Sequence, residues 1–173
     1  MRLGELPAEQ RILLPARAGT IAASLAGALA LAFLPWKPVA PVPDFVALVL
    51  AFWCVREPRR VGLGIAWALG VVVDVGNGVL LGQHALAYSL LAFGASALSR
   101  RILWFPLLGQ ALHVALLLLI AQAVAVAVRL AAGAEFTGWT IVAAPLLGAA
   151  LWPVLSVLLL APQRRAPETE PPQ

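Results

Sequence analysis

Long stretches almost free of charged residues dominate this chain of 173 residues. Hydrophobic residues make up 62% of it and charged residues 12%, against about 25% charged residues in soluble domains. A soluble fold of this size cannot bury so much apolar side chain, because its surface is large relative to its volume. The sequence therefore predicts an integral membrane protein whose main solvent is the lipid bilayer.

Six apolar segments are separated by breaks that are basic or rich in glycine and proline. They cover residues 18–34, 42–55, 61–75, 79–98, 102–128 and 139–160. A helix needs roughly 20 residues to cross the hydrocarbon core, so the second and third segments are short. We expect these two either to tilt into a thin region of the bilayer or to be partly re-entrant, with neighbouring helices covering their ends.

Arginine positions indicate the orientation of the six segments. If the segments cross alternately, ten basic residues lie on one side, and only Lys37 and Arg129 lie on the other. Cytoplasmic loops carry the excess of positive charge, so both termini are predicted to be cytoplasmic. The ten are Arg2, Arg11, Arg17, Arg56, Arg59, Arg60, Arg100, Arg101, Arg164 and Arg165.

The predicted fold class is all-α: a polytopic integral membrane protein built as a bundle of six transmembrane helices. A cytoplasmic amino-terminal segment occupies residues 1–16, the membrane domain residues 17–161, and a disordered cytoplasmic tail residues 162–173. The tail is rich in proline and glutamate and too polar to form a core.

Several function classes are disfavoured by composition. The isoelectric point of about 10.6 suggests nucleic acid, but the basic residues follow the ends of apolar segments instead of one face, so no nucleic-acid binding is predicted. The single cysteine, Cys54, excludes an intrachain disulfide and a cysteine-based metal cluster. The chain has no paired histidines at i and i+4 and no nucleophile elbow, so we predict no metal, cofactor or catalytic residue.

Asp74 is a carboxylate inside an apolar segment, within the run Gly70-Val-Val-Val-Asp74-Val-Gly76-Asn77-Gly78. A charge in a span costs on the order of 3 kcal/mol unless a partner compensates it. We favour a structural role, in which Asp74 caps the next helix and locks the turn, over contact with another membrane protein or transport of protons or ions. Its candidate partners are the free N–H groups at the start of the next helix and the side chains of Asn77, His84, Gln110 and His113.

Gln110 and His113 are three residues apart and so share one face of the fifth segment. We expect them to form hydrogen bonds between helices of the bundle. His84 lies at the outer end of the connection between the third and fourth segments, where we expect it to meet water or lipid headgroups.

Small residues recur every four positions along the first segment, at Ala18, Ala22, Ala26 and Ala30, with Gly27 on the adjacent row. This spacing lets another helix approach closely. Ala22, Ala26 and Gly27 are therefore helix-packing candidates, and we favour packing within this chain over packing against a partner.

The turn Arg56-Glu57-Pro58-Arg59-Arg60 is basic and predicted to be cytoplasmic. Its simplest role is to set the topology and contact lipid headgroups. The alternative is that Arg56, Arg59 and Arg60 dock a cytoplasmic or membrane partner.

One stretch of about fifty residues has a more specific pattern. It begins with Pro43-Asp44-Phe45 and continues through the basic turn to Gly70-Val-Val-Val-Asp74, followed by Gly78, Gly82, Ala85 and Leu86. Together with the chain length and the six spans, this pattern resembles the MreD family of bacterial rod shape-determining proteins. The pair Gly76-Asn77 departs from the family, in which a bulkier, more apolar pair is common.

The resemblance implies a non-enzymatic subunit of the cell-elongation complex in the bacterial inner membrane, supporting cell shape and peptidoglycan synthesis. Such a subunit would bind the single-span protein MreC directly. Through MreC it would act with the MreB filament, the RodA glycosyltransferase and a class B penicillin-binding protein. The resemblance also implies a fold similar to the substrate-binding S components of vitamin transporters, with the motif residues Asp74, Gly78, Gly82, Ala85 and Leu86 shaping a hairpin.

The alternative function is that of a substrate-binding subunit of a small-molecule, vitamin-type transporter. That function requires a polar central cavity. The side chains available to line it are those of Asp74, Asn77, Gln110, His113 and Gln122.

Overall fold

The computed structural model describes residues 16–35, 42–135 and 138–163. These residues form six α-helices and two short 3₁₀ helices, and they contain no strand. Each α-helix falls on one predicted apolar segment, so the all-α fold class is confirmed for the described residues. The helices are α1 (Ala18–Ala32), α2 (Phe45–Arg56), α3 (Leu63–Asn77), α4 (Gln83–Leu103), α5 (Leu107–Ala131) and α6 (Ala143–Leu160).

The two ends of the chain lie largely outside the described residues. These ends include residues 1–15 of the predicted amino-terminal segment and residues 164–173 of the predicted tail. Pro162 and Gln163 were expected to begin the disordered tail, but they belong to a 3₁₀ helix, Ala161–Gln163, that continues α6. Gln163 is buried there and donates a hydrogen bond to the Leu159 carbonyl, so these two residues continue the helical bundle.

Two of the helices are long and apolar enough to cross a membrane: α5, and α6 together with its 3₁₀ extension. Helices α1, α2 and α3 are apolar but have only 12 to 15 residues each. The number of spans and the side on which each terminus lies stay predictions.

Helix α2 is the centre of the bundle. Every side chain from Val46 to Val55 is buried. The helix contacts α1, α4, α5 and α6, which leaves no side of it for lipid. A helix that is apolar on all sides needs such an enclosure. The neighbours therefore cover the whole length of this short segment and not only its ends.

The outer surface of the bundle is apolar. Large side chains such as Trp67 on α3, Leu112 on α5 and Val154 on α6 are more than half exposed. Monomeric soluble proteins rarely expose apolar surface on this scale, whereas lipid-facing helices do.

Helix α1 packs on α2 through its larger side chains, Ile21 and Leu25, together with Ala28. The small residues Ala22, Ala26 and Gly27 are exposed on another side of the helix. A Cβ atom added to Gly27 would meet nothing within 4 Å. The expectation that these three residues pack within this chain is therefore wrong. The larger side chains bury more apolar area against α2, and the small row is turned outward.

Helices α3 and α4 form a tight hairpin around Gly70. A Cβ atom on Gly70 would lie against the backbone N and Cα of Ala85 and 2.6 Å from the carbonyl carbon of His84. The turn between the helices uses Gly78 and Gly82, whose φ angles of 61° and 99° suit glycine because it lacks a Cβ atom. Close backbone approach of the helices therefore depends on glycine at position 70.

We expect Gly70→Ala to separate α3 from α4 and to destabilise the fold by about 1–3 kcal/mol, because the added methyl group meets fixed backbone. The matched control is Gly27→Ala, which adds the same methyl group to a helix interior with open space around it. Alanine favours the helix by about 1 kcal/mol over glycine, so this variant is expected to be neutral or slightly more stable. Thermal unfolding of the detergent-purified proteins compares the two, and equal stability of both variants would contradict the close approach.

Candidate functional site

Asp74 lies in the last turn of α3, and its carboxylate is fully buried. One oxygen, Oδ2, accepts hydrogen bonds from the backbone N–H groups of Gly82 at 2.9 Å and Ala85 at 3.3 Å. The other, Oδ1, accepts from the backbone N–H of His84 at 2.9 Å. These are the free N–H groups that begin α4, and Gly82 at its N-cap has no side chain to satisfy them. The carboxylate of one helix thus caps the next.

The imidazole of His84 adds a fourth contact to Asp74. Its Nδ1 atom is 2.7 Å from Asp74 Oδ1, and the ring is about four-fifths buried. An ionised carboxylate only accepts hydrogen bonds, so Nδ1 carries the proton and donates it. In the neutral ring, Nε2 is then an acceptor. We expected His84 to meet water or headgroups, but only about a fifth of its side chain is exposed. The contact with Asp74 holds the rest of the ring inside the bundle.

A second carboxylate, Asp44, joins the start of α2 to α4. Its Oδ1 accepts from the backbone N–H of Ala47 at 2.9 Å, which caps α2. Its Oδ2 accepts from the hydroxyl of Tyr88 at 2.7 Å, and Tyr88 is buried. The rings of His84 and Tyr88, one helical turn apart, meet edge to face with centroids 5.7 Å apart.

Sequence reasoning missed Tyr88. The available signal was its position four residues after His84, which places both rings on one face of α4. It is also the only tyrosine in the chain.

Asp44, His84 and Tyr88 border a polar cavity of about 280 Å³. A smaller space beside it shares Asp44, His84, Tyr88, Gln122 and Ala144 with it. The cavity lies where α2, α4 and α6 begin, whereas Arg56 ends α2 and Arg100 and Arg101 are in the last turn of α4. The cavity and these three arginines therefore occupy opposite ends of the bundle, and we call the second the arginine end. The described residues that line the cavity are Ala32, Val42, Pro43, Asp44, Phe45, Val73, Asn77, His84, Tyr88, Gln122 and Ala144.

Gln110 and His113 lie near the other end, at the start of α5. The Gln110 amide donates to the Phe105 carbonyl at 3.0 Å and accepts from Trp152 Nε1 on α6 at 3.4 Å, which is the expected bond between helices. His113 Nδ1 instead lies 2.8 Å from the Gly109 carbonyl of its own helix, and its ring packs on Phe105.

The set of side chains expected to line a central cavity is therefore partly wrong. Asn77 and Gln122 border it, but Asp74, Gln110 and His113 do not. The carboxylate of Asp74 is occupied by hydrogen bonds from the first residues of α4. Gln110 and His113 instead bond to the carbonyls of Phe105 and Gly109.

The remaining motif residues flank the hairpin. Ala85 is buried against Gly70, whereas Leu86 and Asn77 are exposed. Of the four side chains named as candidate partners of Asp74, only His84 bonds to it, and Asn77 borders the cavity instead.

The basic turn is hydrogen-bonded to the residues that precede α1. The Arg60 guanidinium donates to the Ala16 carbonyl, and its Nε is 3.8 Å from a carboxylate oxygen of Glu57. The Arg56 guanidinium lies over the Phe52 ring, 5.8 Å from its centroid. Arg59 is exposed. Two of the three arginines thus stabilise the fold, and Arg59 faces outward.

Across the part of the chain that the structure describes, no three His, Cys, Asp or Glu side chains are grouped so that they could hold a metal ion.

Comparison with known proteins places this arrangement in a family. A family model described as rod shape-determining protein MreD matches residues 10–161. The chain belongs to the MreD family. It is 29% identical over 127 residues to the rod shape-determining protein MreD of Haemophilus influenzae, a match that covers 71% of this chain and 76% of that protein. No solved structure matches the chain, so the similarity to S components stays a prediction.

We expect Asp74→Asn to destabilise the fold by about 1.5–3 kcal/mol, the range for hydrogen bonds to a charged group. Asparagine supplies one acceptor oxygen where two are used, and its NH₂ group would face the N–H donors of Gly82 and Ala85. The loss exceeds the roughly 1 kcal/mol typical of a single N-cap. Asn77→Ala, an exposed change in the same turn, serves as control. Thermal unfolding in detergent measures both, and a fully stable Asp74→Asn protein would contradict the cap.

Proposed function

We propose that this chain is a non-enzymatic, multi-pass inner-membrane subunit of the bacterial cell-elongation complex that binds MreC directly. Through MreC it acts with MreB, RodA and a class B penicillin-binding protein and so supports cell shape and peptidoglycan synthesis. Membership of the MreD family, over residues 10–161, is the observation that carries this proposal.

The contact with MreC is proposed to be made between transmembrane helices. MreC contributes one span, and a helix packs most closely where the facing side chains are small. The exposed row of Ala22, Ala26 and Gly27 on α1 offers such a surface, and α1 packs on the bundle through other residues. We therefore take this row as the surface to test first.

The orientation in the membrane is proposed to follow the arginines, with the arginine end of the bundle in the cytoplasm. The hydrogen bond from Arg60 to Ala16 supports it, since it brings the start of α1 and the turn after α2 to the same end. The polar cavity then opens towards the outer side of the inner membrane.

Co-purification with MreC from detergent tests the proposal. The complex should survive high salt, because packing of small residues does not depend on charge. Ala26→Leu is expected to reduce the yield of MreC at least fivefold, since the larger side chain holds the helices apart. The matched control is Ala150→Leu, the same change at an exposed position on α6, which should leave the yield unchanged.

Two outcomes would argue against this picture. Loss of the complex in high salt would indicate that exposed charges such as Arg59 make the contact. Normal MreC yield with Ala26→Leu would show that another surface binds MreC. Both variants should unfold at the wild-type temperature, because neither alanine is buried.

A second candidate function is that of a substrate-binding subunit of a vitamin-type transporter. The polar cavity is the observation that favours it, since small-molecule sites are concave and combine apolar walls with a few polar groups. A saturable rise in the unfolding temperature with one vitamin of a panel would support it, and MreC would then not be required for that effect.

A further inference from the structure

We infer that the polar cavity between the starts of α2, α4 and α6 binds a small organic cation, whose protonated amine is held by the acceptor groups of Asp44, His84 and Tyr88. This inference goes beyond the proposed role in cell elongation and does not depend on MreC. It rests on the donors and acceptors of the lining side chains that do not already take part in a hydrogen bond within the chain.

Asp44 supplies a negative charge with unused acceptor capacity. Each carboxylate oxygen can accept two hydrogen bonds, and each accepts one, from Ala47 N–H and from Tyr88 O–H. The Tyr88 hydroxyl donates its only proton to Asp44, so its oxygen also remains an acceptor towards the cavity.

His84 presents a third acceptor because of Asp74. Asp74 Oδ1 accepts a hydrogen bond from Nδ1–H, so the proton stays on Nδ1, and in the tautomer with one ring proton Nε2 is an acceptor. Asp74 itself is satisfied by three backbone N–H groups besides the ring, so it holds the tautomer in place. The remaining polar lining, Gln122 and Asn77, consists of amides that offer donors and acceptors alike.

Among the described residues that line the cavity, the unused hydrogen-bonding capacity is therefore mainly that of acceptors, together with one negative charge. No lysine or arginine is among the described residues that line it, and Asp44 forms no ion pair with any residue of the described ranges. A half-buried carboxylate is stabilised by a cation more strongly than a carboxylate in water, because the local dielectric constant is lower. A protonated amine matches the surplus in charge and in hydrogen bonding, since it has three donors and no acceptor.

The size and the apolar lining limit the rest of the ligand. A volume of about 280 Å³ is just below the range of roughly 300–1,000 Å³ that is typical of ligand pockets, so the ligand must be small. Ala32, Phe45 and Ala144 provide apolar wall beside the polar groups. The site thus fits an amine on a compact hydrocarbon body better than a bare metal ion, because a bare ion would make no apolar contact with these side chains.

The test measures thermal unfolding of the purified full chain in detergent with three probes of similar shape: cyclohexylammonium, cyclohexanol and cyclohexanecarboxylate, at equal ionic strength. We expect a saturable rise in unfolding temperature with cyclohexylammonium and none with the other two. Asp44→Asn should weaken the apparent affinity at least tenfold. Asparagine still caps α2 and can bond to Tyr88, so the fold is retained.

Glu57→Gln is the matched control, because it removes the same charge at the arginine end of the bundle. It should bind cyclohexylammonium as the wild type does. Gln122→Ala provides a second cavity variant that disturbs no helix cap and should weaken binding severalfold.

Four results would overturn the inference. These are no saturable shift with cyclohexylammonium, an equal shift with cyclohexanol, an equal shift in Asp44→Asn, and an equal shift with sodium or magnesium chloride alone. The second would indicate an apolar pocket and the last an inorganic cation. Failure here is distinguishable from failure of the proposed function, because Asp44→Asn should still co-purify with MreC.

Discussion

The enclosure of α2 is the constraint on which the rest of the structure depends. Ten consecutive side chains, Val46 to Val55, are apolar and buried, and four other helices surround them. Polar groups cannot share that space without a partner, so they are displaced to the two ends of the helix. Asp44 begins α2 beside the cavity and Arg56 ends it at the arginine end. The bundle therefore has an apolar middle and two chemically different ends.

At the cavity end, the carboxylates of Asp44 and Asp74 hold helices together by accepting hydrogen bonds from backbone N–H groups, an imidazole and a hydroxyl. Asp74 satisfies the free N–H groups of α4, and Asp44 satisfies those of α2 and bonds to Tyr88. The bonds of Asp74 join α3 to the next helix, α4, whereas the bond of Asp44 to Tyr88 joins α2 to α4, which are not consecutive in the chain. The Asp74 carboxylate also accepts a hydrogen bond from His84 Nδ1, so the same contact determines which ring nitrogen carries the proton. One carboxylate thus both caps a helix and orients a side chain that borders the cavity.

Several features followed from the sequence by local rules. Apolar length predicted six helices, and the run from Gly70 to Gly78 predicted a hairpin with a buried carboxylate at its turn. The fourth helix begins at Gln83, four residues later than the apolar segment, because Gly78 and Gly82 take left-handed backbone conformations that end one helix and precede the next. Periodicity does not detect such a turn when the intervening residues, Val79 to Leu81, are themselves apolar.

What the sequence by itself determined is the class of solvent, the number of α-helices in the described residues and the need for a partner at Asp74, because each depends on the transfer energy of residues taken one segment at a time. Only the tertiary structure decided which faces meet. It turned Ala22, Ala26 and Gly27 outward, sent Gln110 and His113 to the arginine end, and brought Asp44 to Tyr88 across 44 positions. The physical reason is that helix faces compete for burial, and the outcome depends on the side chains of every neighbour at once.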